Sequence, residues 1–436
     1  MKYFCLVFLF FASFVSEALG QAFNDFDLPP HNYFEGEADD SMTRLLARVE
    51  NGEHDFGTET GLPLVRKMLA DLNIPESSQI LVFSQTSLQR GLIAPDNPRA
   101  MFFNEETHLA WMPGGKIEIL SFDPSKGGMF FLEVPPENPG DRVAFTKSQR
   151  CLGCHRGSAT NFLPGSLGRS HFTSVQGRRL GNAMRHETIG HHIPFEERWG
   201  GYFVTGAPAT LGHLGNVFAE RNEEREVILD SVSHRSKSSL SEYFDADKFP
   251  RADSQIVPLL LFDHQVDGHN LLIEARYRFR LLEYQKETLG EPNSHDLEGA
   301  ERFYDRLVEY LLFKKEASLA GHVIERNPDF EADFRSGRLQ TQDGRSLKDF
   351  DLEGRLMRYR LSYLIQSRSF LESPRAMKNE IYLRLWDILG SETAPEGFDY
   401  FDPGEREGIV RILRETHDDL PEVWYGPVAS VQLLKD

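Results

Sequence analysis

Two cysteines and a histidine lie close together in the stretch Cys151-Leu152-Gly153-Cys154-His155. Two thiols separated by two residues, with a histidine directly after the second, are typical of the covalent attachment of a c-type haem. Each thiol would form a thioether bond with one vinyl group, and the imidazole would bind the iron from one side. A redox disulfide or half of a zinc site uses the same cysteine spacing, and both remain alternatives. The motif predicts one covalently attached haem c, with His155 as its proximal iron ligand.

The ligand on the other side of the iron decides what such a centre does. A histidine or methionine there gives an electron-transfer centre, whereas an open position permits reactions with peroxide, oxygen or other small ligands. By residue type the candidates are Met184, His186, His191, His192, His213, His264 and His269. His213 has Gly212 and Gly215 beside it, and glycines allow the backbone to come close to a flat cofactor.

Arginines near the motif are candidates for binding the haem propionates, because a guanidinium pairs with a carboxylate through two parallel hydrogen bonds. We expect one or two of four arginines to do so: Arg150, Arg156, Arg179 and Arg198. The long stretch 156–216 is rich in Gly, His and Arg and has little periodicity. Beside a haem motif, such a stretch is expected to wrap around the cofactor.

The N-terminus indicates export. An apolar run over residues 3–15 follows Lys2, and small residues precede Gln21, which together predict a signal peptide over residues 1–20 and a periplasmic or otherwise exported protein. Its removal would leave two of the three cysteines, Cys151 and Cys154, so a disulfide framework is not expected. No other apolar stretch is long enough to span a membrane.

The chain of 436 residues has a net charge of −19. This charge argues against nucleic acid as the natural partner, and it could steer a basic redox partner instead.

The hydrophobic pattern predicts an α+β fold. Short apolar runs at 80–83, 100–103, 109–112, 117–122 and 128–134 are separated by turn residues such as Gly114-Gly115, which favours consecutive antiparallel strands. Helices are expected near 42–49 and 63–72, and from about residue 254 the spacing of apolar residues is mainly helical. We expect a strand-rich, haem-binding region over residues 21–250 and a helical region over 251–436 packed on it.

Several stretches resemble a family of large exported single-haem proteins with a cytochrome c-type domain, found in planctomycete-like and marine bacteria. The matching stretches are 81–89, Asn97-Pro98-Arg99-Ala100, Cys151–His155, 196–202 with 204–206, Gly212-His213 with Gly215-Asn216, His264-Gln265 with His269-Asn270, and Arg384-Leu385-Trp386. The resemblance implies haem binding and a redox function, without a defined reaction. It raises His213, His264 and His269 above His191, His192 and Met184. Of these we take His213 as the distal ligand, with His264 as the alternative.

Three functions are compatible with these features. The first is electron transfer through one haem, with a redox partner protein. The second is a haem enzyme acting on peroxide or another small oxidant, which the large size of the chain favours over a simple carrier. The third is a haem sensor or a module with a structural haem. We expect electron transfer, because it requires only what the sequence contains.

Overall fold

The protein is described by a computed structural model that covers residues 22–186, 189–230 and 236–426. The predicted signal peptide, residues 1–20, lies outside the described residues. The α+β prediction is confirmed: the N-terminal half is built on an antiparallel sheet and the C-terminal half is helical.

Seven antiparallel strands form the central sheet, in the order β6-β5-β4-β3-β2-β1-β9. They are β1 (Ile80–Val82), β2 (Arg99–Phe103), β3 (Thr107–Trp111), β4 (Glu118–Asp123), β5 (Gly127–Val134), β6 (Ala144–Lys147) and β9 (Tyr202–Phe203). Two small hairpins pair β7 (His171–Thr173) with β8 (Arg179–Asn182), and β10 (Ala219–Arg221) with β11 (Val227–Leu229). The five predicted strands are thus β1 to β5 of a meander, and Gly114-Gly115 lies in the turn between β3 and β4.

The alternation of side chains along each strand gives the sheet two faces with different coverings. Pairing across the strands places Phe102, Leu109 and Phe131 on one face. These side chains share a buried apolar cluster with two early helices, α1 (Ser41–Glu50) and α2 (Leu62–Asp71). The opposite face carries Met101 and Phe103, which share a second cluster with the helical half.

The remaining helices, except one short turn, make up the C-terminal half. The short turn is α3 (Leu152–His155), which holds the C-x-x-C-H motif. The helices of the C-terminal half are α4 (Ile256–Leu289), α5 (Ser294–Leu311), α6 (Pro328–Arg335), α7 (Arg368–Leu371), α8 (Arg375–Leu389) and α9 (Pro403–Thr416). Helix α4 has 34 residues and ends at Gly290, whose φ of 88° only glycine adopts readily. Within the described residues, none of the helices has both the length and the apolar character that crossing a membrane requires.

Helix α4 joins the two halves of the molecule. Phe262 on α4 packs on Phe103 of β2, with ring centroids 5.3 Å apart. Tyr277 of α4 donates a hydrogen bond of 2.9 Å from its hydroxyl to the carbonyl of Lys126, which directly precedes β5. One face of the sheet and the helical half therefore share a buried apolar cluster, and the division at residue 250 stays a prediction.

Candidate haem-attachment site

The motif lies on a single helical turn at the surface. A 3-10 turn over Gln149–Cys151 leads directly into α3, so the two cysteines are presented one turn apart. Cys151 is half-buried and Cys154 is exposed, and both are free thiols. Burial raises the pKa of the Cys151 thiol. The thiols are therefore accessible for modification at the edge of the molecule, with Cys151 on the inner side.

His155 is held in one orientation by a backbone carbonyl. Its Nδ1 atom lies 2.9 Å from the carbonyl oxygen of Gly165, and a carbonyl can only accept, so Nδ1 carries the proton. Its ring packs on Phe130 of β5, with centroids 4.8 Å apart. Burial lowers the pKa of His155 to about 4, against the opposing effect of the Gly165 bond, so the ring is neutral at pH 7. Nε2 therefore has the lone pair that an iron ligand needs.

The carbonyl of Gly165 is in turn fixed by two other elements. The carbonyl of Pro164 accepts a hydrogen bond of 2.9 Å from the N–H of Gly128 on β5. Asn270 on α4 accepts from the N–H of Ser166 at 2.9 Å and donates to the carbonyl of Ser166 at 3.0 Å. A Cβ atom at Gly165 would lie 2.4 Å from the Asn270 side-chain oxygen, so only glycine fits here. Segment 164–166 thus links the motif to the sheet and to α4.

A row of half-buried side chains crosses the centre of the sheet on the face that His155 contacts. Strand pairing joins Leu132 to Glu118 and Glu118 to Ala110. Ala110 pairs with Met101, and Arg99 lies two residues before Met101 on the same strand, so its side chain is on the same face. Phe130 shares this face with Leu132, since the two are two residues apart on one strand. All four members of the row keep partial exposure although they lie in the middle of a seven-stranded sheet. The row is therefore partly open to solvent, on the same face of the sheet as Phe130, against which His155 packs.

Two arginines outside the four named from the sequence, Arg99 and Arg169, affect His155 electrostatically. Arg99 lies 3.6 Å from Glu118 across the sheet. The Nε atoms of Arg99 and Arg169 are buried and have no hydrogen-bond partner among the described residues. The charges of both arginines contribute to the lowered pKa of His155, which shows that both lie within electrostatic range of its ring. Arg99 belongs to one of the stretches that carried the family resemblance, but nothing in the sequence distinguishes Arg169.

The four predicted arginines have other surroundings. Arg198 is buried, donates from Nε to the carbonyl of Ile193 at 2.7 Å and pairs with Asp263 at 3.4 Å. Arg150 and Arg179 are exposed, and Arg156 is exposed over the ring of Phe26. Arg198 is thus engaged by α4 and its own loop, whereas the other three lie at the surface.

His264 has both ring nitrogens engaged. Its Nδ1 lies 2.8 Å from Nδ1 of His191, and its Nε2 lies 2.7 Å from the Ser362 hydroxyl. The ring is stacked between Tyr310 and Phe313, with centroids 5.2 and 4.4 Å away. Burial lowers the pKa of His264 to about 3, so the ring is neutral. Iron binding by His264 would require the loss of one of these hydrogen bonds, which favours a structural role.

His213 is buried on the side of the β9 strand. Its Nδ1 accepts a hydrogen bond of 3.0 Å from the N–H of Gly215, and its ring lies edge-on to Trp199 at 5.3 Å. The indole N–H of Trp199 donates a hydrogen bond of 3.0 Å to Asp263 of α4. Burial raises the pKa of Asp263 to about 7. The motif is associated with β5, at the other end of the sheet. The assignment of His213 as distal ligand stays a prediction.

Four of the histidine candidates lie together: His186, His192, His191 and His264 are in ring contact in that order, with successive centroids 5.7, 5.9 and 5.0 Å apart. Met184 is part of the apolar core. His191 is buried against His264, while its neighbour His192 is half-buried and packs on exposed His186, with centroids 5.7 Å apart. His269 stacks flat on Phe122 at 3.9 Å. The adjacent residues His191 and His192 differ in burial, although both rings lie near Tyr310, with centroids 4.3 and 6.1 Å from it.

The described part of the chain contains no group of three or more His, Cys, Asp or Glu side chains placed to hold a metal ion. The chain matches no protein-family model, no curated protein and no solved structure.

Proposed function

We propose that this chain is an exported c-type haem protein that transfers electrons through one haem attached at Cys151 and Cys154. The observation that carries the proposal is the orientation of His155, whose Nδ1 donates to the carbonyl of Gly165 and whose Nε2 is the nitrogen left for iron. A histidine that binds a metal almost always donates its other N–H to a carbonyl or carboxylate in this way. A surface histidine beside a redox disulfide has no need of that arrangement.

Each residue of the site has a defined task in this proposal. Cys151 and Cys154 hold the cofactor covalently, burial keeps His155 neutral, and the Gly165 carbonyl keeps its ring correctly turned. Arg99 and Arg169 would bind the propionates, and the sheet row around Ala110 would support the ring. The haem, when bound, supplies an iron that alternates between the ferric and ferrous states. Electron transfer then needs only an exposed edge, and Cys154 is exposed.

The second candidate is a haem enzyme acting on peroxide or another small oxidant. This candidate is favoured because both ring nitrogens of His264 already form hydrogen bonds. Of the two distal ligands expected from the sequence, only His213 then remains. An iron with an open sixth position would bind small molecules. The two candidates differ in the coordination number of the iron, which spectroscopy reports.

Haem attachment is tested by producing the full chain with its own N-terminus in a bacterium that matures c-type cytochromes. We expect a covalent haem that survives denaturing electrophoresis and one haem per chain in the mass spectrum. Cys151→Ala with Cys154→Ala should abolish it, and His155→Ala should remove the native spectrum. His186→Ala, at an exposed loop histidine, is the control and should be unchanged. Absence of haem from the wild-type protein would overturn the proposal.

The choice between carrier and enzyme is tested by visible spectra of the oxidised and reduced protein, with and without carbon monoxide. Sharp low-spin bands that carbon monoxide leaves unchanged would support electron transfer through a six-coordinate iron. A high-spin spectrum with ready binding of carbon monoxide would support the enzyme instead. In the first case, His213→Ala should convert the spectrum to the high-spin form if His213 is the sixth ligand.

A further inference from the structure

The charge of the chain is distributed unevenly along the sequence. Residues 142–186, which include the haem motif, contain eight Arg or Lys and no Asp or Glu, although the whole chain carries 67 acidic residues against 48 basic ones. The eight cations are Arg142, Lys147, Arg150, Arg156, Arg169, Arg178, Arg179 and Arg185. A strongly acidic chain therefore has a continuous cationic segment around its attachment cysteines.

These cations are directed to solvent and are mostly unneutralised. Seven of the eight are exposed, and Arg169 is half-buried. Arg142 pairs with Asp55 at 3.4 Å and Arg185 with Glu197 at 3.3 Å. Within the described ranges the other six form no ion pair, in contrast to the many paired arginines of the helical half.

Three of the unpaired cations adjoin the attachment cysteines directly. Arg150 precedes Cys151, Arg156 follows His155, and Lys147 ends β6 four residues before the first cysteine. Cys154 is itself exposed and lies between Arg150 and Arg156 in the sequence. Salt at about 0.1 M screens charges beyond about 10 Å, so a partner that approaches Cys154 is affected by these neighbours more than by distant acidic groups.

We propose that the surface formed by Lys147, Arg150 and Arg156 around Cys154, here called the cationic rim, is the docking site of an acidic redox protein. This proposal rests on the proposed function, since the rim matters for electron transfer only if haem is attached there. The net charge of −19 alone favours a basic partner, whereas the rim favours an acidic one. Complementary charge at the contact site steers encounter and raises association rates at low ionic strength.

The two charge distributions predict opposite effects of salt on the reaction rate. The haem-loaded full chain, once reduced, is oxidised in stopped flow by anionic hexacyanoferrate(III) and by cationic tris(phenanthroline)cobalt(III). We expect the rate with the anion to fall as ionic strength rises and the rate with the cation to rise. An acidic blue-copper protein should likewise react faster at low salt than a basic cytochrome c of similar potential.

Charge reversal locates the effect. The triple variant Lys147→Glu, Arg150→Glu, Arg156→Glu should lower the low-salt rate with the acidic protein by about tenfold or more, the lower end of steering effects. The matched control reverses three exposed cations of the helical half, Lys286, Arg302 and Arg375, to Glu. It gives the same net charge and should change the rate little. If the triple variant does not fold, the three single variants at the rim give the same test.

The outcomes separate the two proposals. A wild-type protein without haem would overturn the proposed function and the docking site together. A protein with haem whose rate with anions rises with salt, or whose two triple variants behave alike, would overturn the docking site alone. A faster low-salt reaction with the basic cytochrome than with the acidic blue-copper protein would show that the rim is not the docking site.

Discussion

Asn270 on helix α4 forms two hydrogen bonds with the backbone of Ser166, 104 residues away in the chain, at 2.9 and 3.0 Å. Because the carbonyl that orients His155 belongs to the preceding residue, Gly165, this amide links the candidate iron ligand to the helical half. The orientation of the His155 ring thus depends on the packing of α4 against the sheet. The segment from the motif to Ser166 cannot set it by itself.

The first prediction concerns this link. Asn270→Ala leaves the buried N–H and C=O of Ser166 without their partners, and we expect the free energy of unfolding to fall by about 2 kcal/mol. Urea denaturation followed by circular dichroism measures it. Asn379→Ala is the control, because the Asn379 side-chain oxygen has no partner among the described residues. Equal losses in the two variants would contradict a special role for Asn270.

The second prediction concerns Arg99 and Arg169, the two arginines that we propose bind the haem propionates. Removing a positive charge near the haem disfavours the reduced state, so Arg99→Gln and Arg169→Gln should each lower the reduction potential, by on the order of tens of millivolts, where 59 mV is a tenfold change in the equilibrium constant of a one-electron couple. Glu118→Gln removes a negative charge from the same face and should raise it. Potentiometric titration of the haem-loaded variants measures the shifts. Identical potentials would remove both arginines from the site.

The third prediction is the pH dependence caused by Glu316. Burial raises its pKa to about 7, although it accepts a hydrogen bond of 2.8 Å from the N–H of Leu356. The folded state therefore keeps this proton at pH values where the unfolded chain has lost it. Stability from this group falls as pH rises from about 4.5 to 7, by at most about 1 kcal/mol per pH unit.

Glu316→Gln should abolish that part of the dependence. The difference in unfolding free energy between wild type and variant, measured in urea at pH 5 and pH 8, should be larger at pH 5. Glu407→Gln, at an exposed position on α9, should show no such difference between the two pH values. A wild-type advantage that grows toward pH 8 would contradict the assignment.

The fourth prediction has the opposite sign and concerns His31. Its ring is buried and stacks on Tyr277 at 4.4 Å, and burial, together with the charge of Arg280, lowers its pKa to about 3. The unfolded chain binds the proton first, so stability is lost as pH falls below 6.5. From pH 8 to pH 5 this loss amounts to about 2 kcal/mol.

Replacing the titrating ring tests this directly. His31→Phe keeps a flat ring against Tyr277 and cannot be protonated, so the variant should gain on the wild type by that amount between pH 8 and pH 5. Urea unfolding at the two pH values measures the difference. His295→Phe, at an exposed position on α5, is the control and should follow the wild type.

The sequence by itself determined the features that depend on neighbouring residues. The alternation of apolar runs and turn residues predicted the meander from β1 to β5, and apolar spacing predicted α1, α2 and the helical half, because strand and helix periods are local properties. The C-x-x-C-H motif can also be read from the sequence, because it consists of five consecutive residues, and the haem that it predicts stays a prediction. The cationic segment can be counted from the sequence as well.

Only the tertiary structure decided which distant residues meet at His155. Arg99, Arg169 and Asn270 come from a strand, a loop and a helix, and strand register and helix docking bring them together. Register depends on pairings between distant segments, so no local pattern places Arg99 and Arg169 within electrostatic range of His155. Likewise, the neutral, bonded state of His264 follows from contacts with residues 73 and 98 positions away. Long-range packing, which local periodicity does not encode, sets these relationships.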